Sequence, residues 1–319
     1  MLRYVVKRLL LMIPTLLGIT LLVQFFIVIT PGDPARLMSS SDVTEEEIQA
    51  LRLEMGLDDP FHIRYANYIN KILHGDFGRS YRTKRPVLDE VLTRFPYSLM
   101  LVTISMGIAL IIGIPLGIFA ATNQYTWKDN AAIFAALFCV SMPSFWFALL
   151  LIQLICVRLG WLPGGGVETW KGWILPALTG SLSFAATIAR QTRSNMLDVI
   201  RQDFITTARA KGQSERKVLF RHALKNALIP VIMVVGGIFG MAMGGSMISE
   251  VIFSIPGLGS YTLSALQARD FPVIQTSVLF MSALFAVVLL LIDLAFAFVD
   301  PRIRSQYAKR SKKTEKAVV

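Results

Sequence analysis

Five stretches of this 319-residue chain run for twenty residues or more with at most one charge. A bilayer's hydrocarbon core is about 30 Å thick, so about 20 apolar residues in a helix suffice to cross it. Leu9–Thr30 offers 22 residues, Ser98–Ala121 24, Ala131–Val157 27, Leu228–Met247 20 and Ser277–Val299 23, the last with one acid, Asp293. A sixth stretch, Ile174–Ala189, has 16 and can lengthen at both ends, with Trp170 and Trp173 at the interface and Lys171 snorkelling. Charged residues are 17% of the chain and mean hydropathy is +0.56, whereas a soluble domain carries about 25% charge. That composition argues against a soluble enzyme and excludes a disordered chain. Two cysteines exclude a disulfide scaffold. The expected architecture is an all-α membrane protein with six transmembrane helices. It divides into residues 1–30 (first helix), 31–97 (a small helical layer between helices 1 and 2), 98–299 (a five-helix core) and 300–319 (a basic tail).

The first helix has a rival reading as a cleaved signal peptide, which Arg3, Lys7 and Arg8 would suit. Its 22 uncharged residues exceed the usual apolar core of about 7–15, and no small-x-small site precedes Pro31, so a retained anchor is expected.

A net charge of +11 invites a nucleic-acid partner until the charges are placed. The first eight residues carry +3, Arg190–Asn226 +6 and 300–319 +5, all on one side of a six-pass chain. The long connection on the other side, Pro31–Tyr97, carries −2. The positive-inside rule then puts both termini in the cytoplasm of a multi-pass plasma (inner) membrane protein. Topology accounts for the charge, and the expected partner is the lipid bilayer rather than nucleic acid.

Pro31–Tyr97 shows helical periodicity around Glu45–Met55 and Ile63–Leu73, with Asp42 or Thr44 as a cap. Ile48, Leu51, Leu53, Met55, Leu57, Tyr65, Tyr68, Ile69 and Ile72 are spaced for packing, which favours a folded layer over a passive linker. Arg190–Asn226 is the one sizeable connection on the basic side. Asp198–Lys211 can form a helix, Gly212 can supply a positive-φ turn, and Ser214 can cap a second helix. Lys217, Arg221 and Lys225 then recur every four residues on one face, away from Val218, Leu219 and Leu224. A basic helix resting on anionic lipid and a docking element both fit that face. On the fifth helix Gly236, Gly240 and Gly244 recur at four-residue intervals, which suits close helix packing and is compatible with lining a pathway. Pro14, Pro115, Pro143, Pro176 and Pro230 lie in or beside the spans, as in helices that bend.

The sequence carries no phosphate-binding GxxxxGK[ST], no HExxH and no GxSxG. His62, His74 and His222 are far apart, and Cys139 and Cys156 do not have metal-ligand spacing. No metal, no cofactor and no catalytic residue is therefore expected in this chain. Asp293 reads either as a substrate or proton contact or as a structural hydrogen bond, with no basic partner evident in the sequence.

Thr206-Thr207-Ala208-Arg209-Ala210-Lys211-Gly212 resembles the cytoplasmic EAAxxxG signature of ABC importer membrane subunits. Asp203-Phe204-Ile205 before it and the run Arg221 to Pro230 after it resemble the peptide branch. So do Pro31–Arg36, Gly75-Asp76-Phe77-Gly78-Arg79-Ser80, Pro256-Gly257-Leu258-Gly259 and Asp300–Arg304, in order along nearly the whole chain. The chain is similar to B-type permeases of dipeptide, oligopeptide and nickel ABC importers, whose fold is the type I importer fold. It departs from the general signature in having Thr206 and Thr207 for Glu and the first Ala, and Lys225 where a Pro would fall.

The resemblance implies a non-catalytic permease that pairs with a second, homologous permease to enclose a pathway. Two cytoplasmic ATPase subunits, which hold ATP and Mg, would dock on Thr206–Gly212, and an external binding protein would deliver substrate. Short peptides are the substrate class implied first. Nickel or metal chelates and glutathione-like ligands are the alternatives. A stand-alone ion-coupled transporter is the rival from another class, but it calls for inverted repeats and several midplane charges.

Overall fold

The computed structural model of the protein describes residues 2–30, 32–33, 35–36, 44–54 and 56–299. The tail 300–319 with its Asp300–Arg304 motif, Asp42, Met55, the side chain of Leu51 and part of the Pro31–Arg36 motif lie outside the described residues.

Every regular element among them is helical. In order they are α1 (Leu2–Ile29), α2 (Glu45–Glu54), α3 (Phe61–Leu73), α4 (Val87–Thr122), α5 (Trp127–Ser141), α6 (Ser144–Leu151) and α7 (Ile174–Ile200). A short helix α8 (Asp203–Ala210) leads to a long rod, α9, made of Glu215–Lys217, π-helical turns over Val218–Ala223, and Leu224–Gly245. Two short helices, α10 (Met247–Ile252) and α11 (Leu258–Ala268), precede α12 (Phe271–Val299). Five of these helices are long and apolar enough to cross a membrane, and α5 with α6 makes a sixth if the bent pair is one span.

The tightest seam joins α4 to α7. A Cβ on Gly113 would lie 2.6 Å from the Ala185 carbonyl oxygen, and one on Gly117 2.5 Å from that of Ala189. This GxxxG pair lets two backbones touch, as small residues do where lipid supplies no hydrophobic drive between helices. Met106, Ala109, Ala185, Ile188 and Val231 fill the adjoining core between α4, α7 and α9.

Four elements differ from the sequence expectation, each for a local reason. Ala131–Val157 is not one straight crossing: α5 and α6 meet at 94°. Met142 is extended (φ −78°, ψ 126°) because proline at 143 pushes its predecessor out of the helical region. The short fourth stretch lengthens through a 3₁₀ turn at Trp170–Trp173 and runs on to Ile200, so Arg190 and Arg193 stand on a spanning helix instead of in a loop. Asp198–Lys211 is not one helix, because Gln202 is extended (ψ 150°) and α8 begins afresh at Asp203. The basic second helix and the fifth crossing are one continuous span, Glu215–Gly244.

The layer between α1 and α4 has helices where periodicity places them, but no core of its own among the described residues. Thr44 forms the cap: its hydroxyl accepts from the Glu47 N–H (3.4 Å) while the Glu47 carboxylate accepts from the Thr44 N–H (3.0 Å). The Thr44 N–H, joined by the Thr44 hydroxyl (3.1 Å), holds the Glu47 carboxyl below the usual carboxylate range. No residue of α3 is buried, and Leu53 and Leu73 are largely exposed. The layer leans instead on α1, where the Tyr65 hydroxyl donates to the Leu17 carbonyl (2.8 Å) and Phe61 packs edge-on to Phe25.

Candidate functional site

The α8–Gly212–α9 element lies at one end of the bundle, here the turn end. Its inner face is Ile205 and Ala208 from α8 with Val218, Ala223 and Ala227 from α9, closed over Met196 and Val199 of α7. A helix of eight residues has little stability alone, so this apolar contact is what fixes it. The chain leaves α8 through a Schellman turn: the Gln213 N–H donates to the Ala208 carbonyl and the Gly212 N–H to that of Arg209. Gly212 has φ +74°, and a Cβ there would meet nothing within 4 Å, so the backbone conformation alone demands glycine.

Two side-chain ties span the turn. The Arg209 guanidinium donates to both Glu215 oxygens (2.7 and 3.3 Å), which raises its already high pKa. The Gln213 amide oxygen and His222 Nε2 lie 2.7 Å apart. Thr206, Thr207, Arg209, Ala210, Lys211 and Gly212 are exposed together, whereas Ala208 is buried and unavailable to a partner. Ser214 occupies the cap position of α9 without a side-chain capping bond. Lys217, Arg221 and Lys225 are all exposed, as their spacing requires. Phe204 and Phe220, which residue spacing did not single out, are exposed as well.

The opposite end, the layer end, is held by two buried carboxyl groups. Glu250 on α10 is fully buried. One of its oxygens accepts from the hydroxyls of Ser98 on α4 (2.7 Å) and Ser246 (2.8 Å), and the other from the Ser260 N–H in the first turn of α11 (2.8 Å). Ser98 in turn accepts from the Leu258 N–H (2.8 Å). The carboxyl group therefore serves the orphan donors of the α11 N-terminus. Pro256-Gly257-Leu258-Gly259 gains a physical meaning here, since a Cβ on Gly257 would collide with the Glu250 carboxyl and one on Gly259 would lie 2.8 Å from the Met247 Cα.

Asp270, immediately before α12, accepts from the Ser80 hydroxyl (2.5 Å) and the Tyr81 N–H (3.0 Å). It clasps the end of the Gly75–Ser80 motif, where Gly78 turns at φ +77°. Burial, with the Asp270 charge nearby, pushes the Tyr81 phenol up to about 12.

The glycines of α9 divide. Gly236 and Gly240 face α12 so closely that a Cβ would strike Ile292 and Phe285, while nothing lies within 4 Å of a Cβ on Gly244. Close packing accounts for the first two. Asp293 has the basic partner that the sequence did not reveal: Arg8 of α1 lies 2.9 Å away, both residues being near the turn end. Among the described residues no group of three or more His, Cys, Asp or Glu is arranged to hold a metal.

Comparison with known proteins places this architecture. Residues 113–305 match the family model described as binding-protein-dependent transport system inner membrane component, and residues 1–102 match the N-terminal model of such membrane components. The glutathione transport system permease protein GsiC of Escherichia coli (strain K12) is 42% identical over 304 residues, which is 95% of this chain and 99% of that protein. GsiC of Salmonella typhimurium is similar to the same extent, 42% over 304 residues, again covering 95% and 99% of the two chains. A chain of the inward-facing MetNI methionine ABC transporter superposes with a TM-score of 0.59 at 16% identity, covering 68% of this chain and 99% of that one. An amino acid ABC transporter solved with histidines superposes with a TM-score of 0.51 at 15% identity, over 67% of this chain and 94% of that chain. At such identities these two structures establish the fold, while the family models span residues 1–102 and 113–305 and the GsiC relatives cover 95% of the chain. The chain belongs to the binding-protein-dependent transport system inner membrane components, and is a multi-pass permease subunit of an ABC importer.

Proposed function

We propose that this permease forms half of a translocation pathway for short peptides, glutathione-like tripeptides among them. An external binding protein delivers the substrate, a second homologous permease completes the pathway, and two ATPase subunits drive it from the cytoplasm. The observation that carries the substrate class is the 42% identity to GsiC over 95% of the chain. Glutathione is itself a small peptide, so the two substrate readings converge on one class.

In this reading the turn end is cytoplasmic, as the excess of Lys and Arg there favours. Thr206, Thr207, Arg209, Ala210, Lys211 and Gly212 form the surface on which an ATPase subunit docks, with Ala208 holding that surface from beneath. The continuity of Glu215–Gly244 supports a lever, because a push on the turn moves a whole crossing. Gly236 and Gly240 would pass that motion to α12, against which they lie. Access then alternates by rocking of packed helices.

The test is uptake by proteoliposomes holding the complete transporter and its binding protein. ATP-dependent accumulation of glutathione or of di- and tripeptides, but not of nickel, is expected. Accumulation of nickel alone would overturn the substrate class. Uptake driven by an ion gradient without the ATPases would overturn the permease mechanism.

A further inference from the structure

A cleft of about 450 Å³ opens at the turn end between α5 and α7. Its floor is the pair Arg193–Asp129, joined by two hydrogen bonds of 2.7 and 2.6 Å, and Asp129 is further engaged by the Tyr125 N–H (3.2 Å). One turn further into the bundle on α7, Arg190 also lines the cleft and is exposed, and no carboxylate among the described residues pairs with it. Asn130 adds an exposed amide beside it. The wall that descends from these polar groups is apolar: Ile133, Phe134 and Leu137.

Three properties of the cleft combine. Phe134 is 72% exposed, so the apolar wall faces outward from the helix core. Trp127, 75% exposed at the start of α5, has the character of a residue at the boundary between headgroups and hydrocarbon. Arg190 therefore stands just inside that boundary as a cation that no carboxylate among the described residues neutralises, a position that an anionic group would relieve. Asp129 pairs with Arg193 instead, its carboxylate engaged by that guanidinium and by the Tyr125 N–H. A ligand that answers all three needs a phosphate group for Arg190 and Asn130 and an acyl chain for the wall.

We infer that this cleft is a binding site for an anionic phospholipid, whose phosphodiester sits on Arg190 and Asn130 and whose acyl chain lies along Ile133, Phe134 and Leu137. Basic pockets between transmembrane helices take such headgroups elsewhere. The site goes beyond the transport reading and needs only that the bundle spans a membrane. A lipid held there bridges α5 to α7 at the turn end.

The experiment uses the complete transporter purified in detergent and titrated with lipids of one acyl composition, with binding read by native mass spectrometry. Phosphatidylglycerol should be retained about tenfold more strongly than phosphatidylcholine, which offers the same phosphodiester but carries a choline cation that cancels its net charge beside Arg190. Arg190→Gln should remove that preference, while Lys128→Gln, which alters an exposed cation beside the cleft, should keep it. Inorganic phosphate at millimolar concentration should not displace the lipid. Without any variant, a photoactivatable phosphatidylglycerol should label residues 127–137 of the wild-type chain. Equal retention of the two lipids, equal effects of the two substitutions, displacement by inorganic phosphate, or label confined to other segments or to the partner permease would each overturn the inference.

Discussion

The two ends of the bundle satisfy their polar groups in opposite ways. At the layer end Glu250 and Asp270 are buried acceptors, served by serine hydroxyls and backbone N–H groups from distant parts of the chain. At the turn end the polar groups of α8 and its turn are exposed, and the ties that hold them, Arg209 to Glu215 and Gln213 to His222, are local. The layer end is complete within one chain. The turn end is shaped from beneath by Ile205, Ala208 and Val218 but presents a surface that stays exposed among the described residues. A knot of buried hydrogen bonds resists deformation, because opening it strands donors in an apolar setting. An exposed turn on a rigid rod is where a partner can apply force without breaking the fold.

Substitutions can break this contrast, and the largest effect is expected at the layer end. Glu250→Ala leaves two buried hydroxyls and the Ser260 N–H without their acceptor, at about 1–3 kcal/mol for each stranded group. The purified chain should unfold at a markedly lower temperature or fail to accumulate, and Glu250→Gln, which keeps an acceptor oxygen, should recover part of the loss. Next comes the α4–α7 seam. Gly117→Val drives a side chain into the Ala189 carbonyl and should destabilise by about 1–3 kcal/mol or more, whereas Gly244→Ala, with open space around it, should be close to neutral in the same thermal assay.

At the turn end the expected effect falls on function. Gly212→Val forces a β-branched residue to φ +74°, at about 1–2 kcal/mol. ATP-driven uptake should drop at least about tenfold, the factor that about 1.4 kcal/mol represents, while membrane insertion continues. Full uptake in that variant would contradict a force-bearing turn. The smallest effect is expected for Arg8 and Asp293. Arg8→Gln alone leaves Asp293 unpaired near the membrane edge, so adding Asp293→Asn should restore the thermal stability that the single change removes.

Periodicity and composition carried much of this architecture, because bilayer thickness sets a length that apolar runs must match. The positive-φ turn at Gly212 was legible too, since few residues but glycine end a helix that way. The break at Met142 was not, although Pro143 marked it, because the apolar run continues unbroken across the bend. The tight Gly113–Gly117 pair was hidden behind a more conspicuous glycine series on α9, of which only Gly236 and Gly240 touch a neighbouring helix. Glu250, Asp270 and the Arg8–Asp293 pair were invisible for one reason. Each joins residues more than a hundred positions apart. Ala208 shows the converse limit, because a signature residue in the middle of the exposed turn faces the core.

The most direct measurement is cysteine crosslinking of the assembled transporter in membranes. Lys211→Cys is introduced in a chain with Cys139 and Cys156 replaced by serine and alanine, so that the turn carries the one reactive thiol. A short bismaleimide should join position 211 to an ATPase subunit, and an impermeant maleimide should reach it only from the cytoplasmic face. Labelling from the outside, or a thiol that crosslinks to no ATPase in an actively transporting complex, would contradict the account.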